Sequence, residues 1–330
     1  MEPQIGIAVP PLGYEQFRRT ARRAEQGGFA FVSVGDFPAQ FADTYVSLAV
    51  LAESVSCRVG VTATTPLYRD PLVAASAMSS VEALAPGRVF VAFATGRARA
   101  AATRDTLRAY VDTLRALWCG ETVNHRGESI RLDWDAHPVP VFICASGPRG
   151  LRQAGEIADG VIIESGVSED AIEQAMTWIE DGAARADRDP GCIERWWYLR
   201  AGLAENTDEG VEMALAPVAA SGAHVLGTDP VRYGVPAHLR GACRDLRARY
   251  SMATHVTSGP DDPNRRLLQD ASLRDYLFDR FALAGSPQDW KHRLAELRGR
   301  GVDRLYIAPK TPDRERFVAL VSDEVLPGEG

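Results

Sequence analysis

Lysine is almost missing from this chain: Lys291 and Lys310 are the only two among 37 basic residues, and arginine supplies the rest. Against 44 acidic side chains this leaves a net charge of −7. That excludes the broad basic face a protein needs to displace counterions from a nucleic-acid backbone. No apolar run approaches the ~20 residues of a membrane-crossing helix, and the opening Met-Glu-Pro-Gln-Ile-Gly has no basic flank before an apolar signal core. A cytoplasmic location without membrane contact is therefore expected. The five cysteines (Cys57, Cys119, Cys144, Cys192 and Cys243) are scattered, odd in number and without C-x-x-C spacing, so neither a disulfide framework nor a zinc site is expected. The histidines show no metal-like i, i+4 spacing, and no metal is assigned. A G-x-S-x-G elbow and a P-loop are absent too, which sets aside serine hydrolases and nucleoside triphosphatases. The partners that remain are a small molecule or another protein.

What the chain does have is a regular alternation. Its 330 residues, 45% of them hydrophobic, are enough for one large core. Strand-like runs at 4–9, 30–34, 58–63, 89–94, 139–144, 161–164, 196–203 and 304–307 alternate with helical patterns at 14–26, 44–54, 71–84, 103–118, 149–158, 169–186 and 313–323. A hairpin-like stretch covers 120–134. Eight short strands separated by helices predict an α/β protein, a (β/α)8 TIM barrel forming a single domain over 1–330. Periodicity alone leaves a doubly wound open sheet as the rival. Residues 205–300 break the rhythm and are read as a helical insertion before the last strand, with helices at 235–250, 265–281 and 287–300.

In such a barrel, chemistry belongs at the C-terminal ends of the strands. There stand Pro10-Pro11, Gly35-Asp36-Phe37, Thr62 to Pro66, Ala94-Thr95-Gly96-Arg97, Ala145-Ser146-Gly147-Pro148 and Glu164-Ser165-Gly166. Small residues make tight turns wherever they occur. Several successive crossings ending in Gly, Ser or Thr on one face would also leave amides and hydroxyls around a shallow floor, fit for a flat cofactor with a phosphate. The Ser146-Gly147-Pro148-Arg149 junction opens a helix, and helix N-termini attract anions.

With those motifs in place, the chain resembles the luciferase-like flavin and deazaflavin oxidoreductases, in particular the methylenetetrahydromethanopterin reductase-like branch. The resemblance rests on Ala24-Glu25-Gln26-Gly27-Gly28-Phe29, Thr65-Pro66-Leu67-Tyr68-Arg69-Asp70-Pro71, Leu84-Ala85-Pro86-Gly87-Arg88-Val89, Ala94-Thr95-Gly96, Leu117-Trp118-Cys119-Gly120-Glu121 and Pro140 through Gly160. It implies a barrel carrying F420, with FMN as the alternative, and a bulge with a non-prolyl cis peptide between Thr62 and Ala63. It also implies cofactor contacts from Asp36, Thr62, Ala63, Thr65, Thr95 and Gly96, and from Ala145, Ser146, Gly147, Pro148 and Ser165, together with a homodimer.

The chain departs from that family in two places. Many deazaflavin relatives carry Asp-His after the second strand, whereas this chain has Asp36-Phe37. The sugar-phosphate dehydrogenases carry Glu after Thr-Gly, whereas this chain has Arg97. Removing hydride from an alcohol needs a base for the hydroxyl proton, so these departures turn the expectation towards reduction of a C=C or C=N bond. Asp36 and Tyr68 are the candidate catalytic groups, and Phe37, Arg97 and Arg69 the candidate substrate contacts. Two other classes stay open, an FMN-dependent monooxygenase and a non-catalytic ligand-binding homologue.

Overall fold

The computed structural model describes residues 3–96, 102–252, 254 and 262–326. The chain alternates as the sequence indicates: β1 (Gln4–Ala8), α1 (Tyr14–Gln26), β2 (Phe31–Val34), α2 (Thr44–Ser54), β3 (Arg58–Thr64), α3 (Pro71–Leu84), β4 (Val89–Phe93) and α4 (Arg104–Trp118). A small antiparallel hairpin follows, β5 (Val123–His125) and β6 (Glu128–Ile130). Next come β7 (Val141–Ala145), α5 (Pro148–Ile157), β8 (Gly160–Ile163), α6 (Glu169–Arg185) and β9 (Glu194–Leu203). The chain then runs through α7 (Thr207–His224), α8 (Arg240–Arg249), α9 (Ala271–Phe281), β10 (Ala282–Gly285), α10 (Pro287–Gly299), β11 (Arg304–Ile307) and α11 (Arg314–Leu320).

Parallel pairing runs β1-β2-β3-β4-β7-β8, and β9 closes the ring by pairing with β8 on one side and with β11, the neighbour of β1, on the other. The ring is an eight-strand (β/α)8 barrel, which excludes the open sheet. Local chemistry explains the helices around it. On α1, Phe17, Ala21 and Ala24 fall on one stripe and are buried. Pro71 occupies the first turn of α3, where no amide partner is lost, and the Asp70 side chain accepts from Leu72 N at 3.0 Å.

One expectation needs correction. Residues 205–300 are not purely helical, because β10 pairs in parallel with Arg200–Leu203, the C-terminal half of β9. Its Ala-Leu-Ala-Gly sequence has no β-branched residue and directly continues α9, so no change of period marks it. The helices also start later than read, at Arg240 and Ala271.

Inside the ring, glycines make room for phenylalanines. Gly6 is in register with Phe31, Gly60 with Phe90 and Gly160 with Phe142, and a Cβ on any of the three glycines would lie within 2.5 Å of the facing ring. Trp196 and Ile162 complete this apolar plug. Below it, Arg58 reaches both Glu194 oxygens at 2.7 and 2.9 Å and lies over the Phe90 and Phe142 rings. The N-terminal end is thereby filled, and the open face is the C-terminal one. Among the described residues no helix is long and apolar enough to cross a membrane.

Candidate active site

Above the aromatic plug the barrel lining turns polar. Ser33 Oγ donates to Ile7 O at 3.2 Å and lies 2.7 Å from Thr62 Oγ1, which in turn lies 2.8 Å from Tyr306 OH. Burial, with Tyr198 beside it, pushes the Tyr306 hydroxyl well above its ordinary pKa, so this chain stays neutral. At the top of β3 the ladder to β4 slips between Thr62 and Thr64, and the Thr62–Ala63 peptide is cis, at the bond where the resemblance puts it. The bulge lets Thr64 and Ala63 serve different partners. Asp36 N donates to Ala63 O at 3.3 Å, and Thr64 Oγ1 donates to Asp36 Oδ2 at 2.6 Å.

Asp36 is the centre of a charged knot. Its side chain is 1% exposed, and Arg69 Nη1 donates to Oδ2 at 2.5 Å. The other arm of Arg69 donates to Asp43 Oδ2 at 2.8 Å, and its guanidinium lies 4.6 Å from the centre of the Tyr45 ring. Asp43 meanwhile caps α2, accepting from the Tyr45 and Val46 amides. Partial burial alone would raise the Asp43 pKa, but Arg69 and the two amides together hold it below the usual carboxylate range. Tyr110 OH donates to Arg69 O at 3.0 Å. Arg69, expected at the substrate, thus spends its guanidinium on two carboxylates.

The remaining expected positions follow the C-terminal ends of neighbouring ring strands. Thr65 is buried after β3. Thr95 and Gly96 follow β4, with Gly96 at φ +82° and Ala102 N donating to Thr95 O at 2.7 Å. Arg97 lies outside the described residues. Ala145 ends β7, and Ser146 and Gly147 lead into α5, whose N-cap, Gly147, offers no side-chain hydrogen bond and whose first residue is Pro148. Beyond β8, Ser165 is 1% exposed and its Oγ has no hydrogen-bond partner among the described residues. Phe37 is 48% exposed, with its ring against Gly35 and edge-on to Phe41, and Tyr68 is 42% exposed.

Several residues that build the site carry no sequence signal of a role there. Asp43 stands before a helical pattern and is legible only as a cap. Tyr233 and Arg280 come from the insertion, yet Tyr233 OH lies 3.0 Å from where a Gly147 Cβ would sit, and Arg280 is fully buried beneath the β8–α6 loop. Burial pushes the Tyr233 hydroxyl up, partly opposed by Ser146 beside it.

Comparisons with known proteins fit this geometry. The chain is 27% identical to a 5,10-methylenetetrahydromethanopterin reductase of Methanolobus tindarius over 93% of its own length and 94% of the relative's. It is 25% identical to an F420-dependent glucose-6-phosphate dehydrogenase of Intrasporangium calvum, over 93% and 92%. Its fold superposes on the coenzyme F420-dependent tetrahydromethanopterin reductase of Methanopyrus kandleri with a TM-score of 0.77, at 20% identity, covering 99% of both chains. The family model for luciferase-like monooxygenases matches residues 3–304. The chain belongs to the luciferase-like monooxygenase family.

Proposed function

We propose that this protein is an F420-dependent oxidoreductase that reduces a C=C or C=N bond of a small organic substrate. Dependence on F420 is supported by the name of the Intrasporangium calvum relative, an F420-dependent dehydrogenase similar to this chain along nearly its whole length. The donor set fits such a group. Ser146, the uncapped start of α5 and the unpartnered Ser165 Oγ offer hydroxyls, amides and a positive dipole end to a phosphate. The bulge at Thr62 to Thr64 and the Thr95-Gly96 turn offer small surfaces to a flat ring. When bound, the deazaflavin supplies hydride chemistry, and the protein supplies orientation and electrostatics.

The observation that carries the direction of reaction is the state of Asp36. Its Oδ2 already takes one hydrogen bond from Thr64 and another from Arg69, and its side chain is sealed from water. With Oδ2 occupied by two donors and the side chain enclosed, this carboxylate is not open to the hydroxyl of an alcohol substrate. It is well placed to orient a cofactor, so Asp36 acts here as a positioning group. Tyr68, exposed in the loop after β3, is the candidate proton donor, and half-exposed Phe37 offers a flat apolar wall to the substrate.

The purified protein is titrated with F420 and with FMN, following absorbance and fluorescence. The reduced cofactor is then offered activated alkenes and imines, and the oxidised cofactor a sugar phosphate. We expect stoichiometric F420 binding, oxidation of the reduced form by an alkene or imine, and no turnover with the sugar. The family description also covers monooxygenases, and stoichiometric retention of FMN would move the reading there. Binding without turnover of any electrophile would leave a ligand-binding protein.

A further inference from the structure

Arg280 is among the largest fully buried side chains, 0% exposed at the junction of α9 and β10. Its Nε donates to Ser165 O at 3.0 Å. Its Nη1 lies 3.0 Å from Tyr233 O, 3.1 Å from Tyr276 OH and 3.1 Å from Asp170 Oδ2 in the first turn of α6. Its own carbonyl accepts from Val167 N at 2.7 Å. Gly166, at φ +98°, lies so close that a Cβ there would fall 2.4 Å from Arg280 Cγ, so only glycine fits the loop against this side chain. Through Tyr233, whose hydroxyl sits over Gly147 beside Ser146, the same arginine supports the β7–α5 loop. One residue of the insertion therefore braces both loops that border the proposed phosphate site.

Bracing alone does not require a charge. Among the described residues Asp170, 47% exposed, is the only carboxylate on Arg280, and Nη2 has no partner. A buried guanidinium so incompletely neutralised is costly to the folded protein unless an anion shares its field. Two helix N-termini, those of α5 and α6, lie at neighbouring positions around the ring, and neither has a side-chain cap onto its amides. Ser165 Oγ, just beyond β8 and without a hydrogen-bond partner among the described residues, adds a buried donor. We infer that Arg280 is the positioning residue of a phosphate subsite formed by the β7–α5 and β8–α6 loops, and that it sets affinity for the phosphate-bearing side chain of the cofactor. This rests on the cofactor reading above.

The test compares F420 with its phosphate-free deazaflavin core, titrated by fluorescence into the wild type, Arg280→Met, Arg280→Lys and Tyr233→Phe. Arg280→Met weakens F420 binding about tenfold or more, in line with loss of charge-assisted contacts, and shifts the core by less than about twofold. Arg280→Lys keeps the charge but not the fork, so its affinity for F420 falls between wild type and Arg280→Met. At saturating cofactor, kcat changes less than KM for the cofactor does. If Arg280→Met does not melt cooperatively, Tyr233→Phe carries the test, with a selective loss for F420 expected. Equal weakening of both ligands, or of neither, overturns the assignment. A wild type that binds neither deazaflavin sinks the cofactor reading instead, and FMN against riboflavin then tests the arginine independently.

Discussion

Asp36 and Arg69 form an ion pair in which the carboxylate is 1% and the guanidinium 16% exposed. Removing the arginine alone would strand a charge in a site that water cannot reach, and breaking such a pair from one side costs about 3 kcal/mol or more. We therefore expect Arg69→Met to lower stability by about that amount in urea denaturation. Adding Asp36→Asn should restore more than half of the loss, because it removes the stranded charge. No loss in the single variant, or no recovery in the double one, would show that the pair is not the anchor of the mouth. Both residues could be picked from the sequence as candidates. Their pairing could not, since 33 positions separate them and the third partner, Asp43, looks like an ordinary helix cap. Arg69 next to a strand end reads as an anion clamp until the two carboxylates are seen to occupy it.

The two helices flanking the proposed phosphate loops, α5 and α6, meet through glycine. A Cβ on Gly155 would lie 2.1 Å from Ile179 O, and one on Gly182 would lie 2.0 Å from Arg152 O. Backbone faces backbone at both points, so no flexible side chain can give way. Gly182→Ala should cost about 1–3 kcal/mol through overpacking. Because α5 starts at the proposed phosphate loop, the same change should also weaken cofactor binding, whereas Gly299→Ala, with open space around it, should alter neither. Thermal melts and cofactor titrations of the two variants check this, and an unmoved melting point for Gly182→Ala would count against close packing as the reason for the glycine. At this scale most of the fold was legible. Eight strands stand out as short runs of β-branched, aromatic or other apolar residues and seven helices as the longer patterns between them, and the positions after β2, β3, β4, β7 and β8 share one face. The strand β10 was not legible, for a physical reason: four residues without a β-branched side chain gain their strand geometry from pairing with β9, a long-range contact that leaves no local trace.

Residues 205–300 hold a second apolar cluster, built from α7, α8 and α9 around Val218, Cys243, Leu246 and Leu277, separate from the core between the ring and its outer helices. Two cores invite two unfolding steps, but the connections between them are buried. Ala282 of β10 and Phe281 before it belong to the second cluster, while Leu283 belongs to the first. Ser286 caps α10 and its amide donates to Asp289, whose Oδ2 also accepts from Thr207 Oγ1 at the start of α7. Arg280 joins the same stretch to the loop after β8. Opening the insertion would expose the arginine's acceptors, unzip β10 from β9 and uncover the Trp290 indole, which donates to Gly202 O at 3.0 Å. We therefore propose that the chain is one domain and expect a single cooperative transition in urea, with far-ultraviolet circular dichroism and tryptophan fluorescence superimposing. Native-state hydrogen exchange separates the alternatives more sharply. Amides of α7 and β10 should open with the free energy of the ring strands, and only the outer α8 should exchange by smaller openings. If α7, α9 and β10 exchange together at a much lower free energy than β1 to β4, the insertion is an independent unit docked on the barrel. The loops it supports would then be mobile parts of the site, no longer fixed by the barrel.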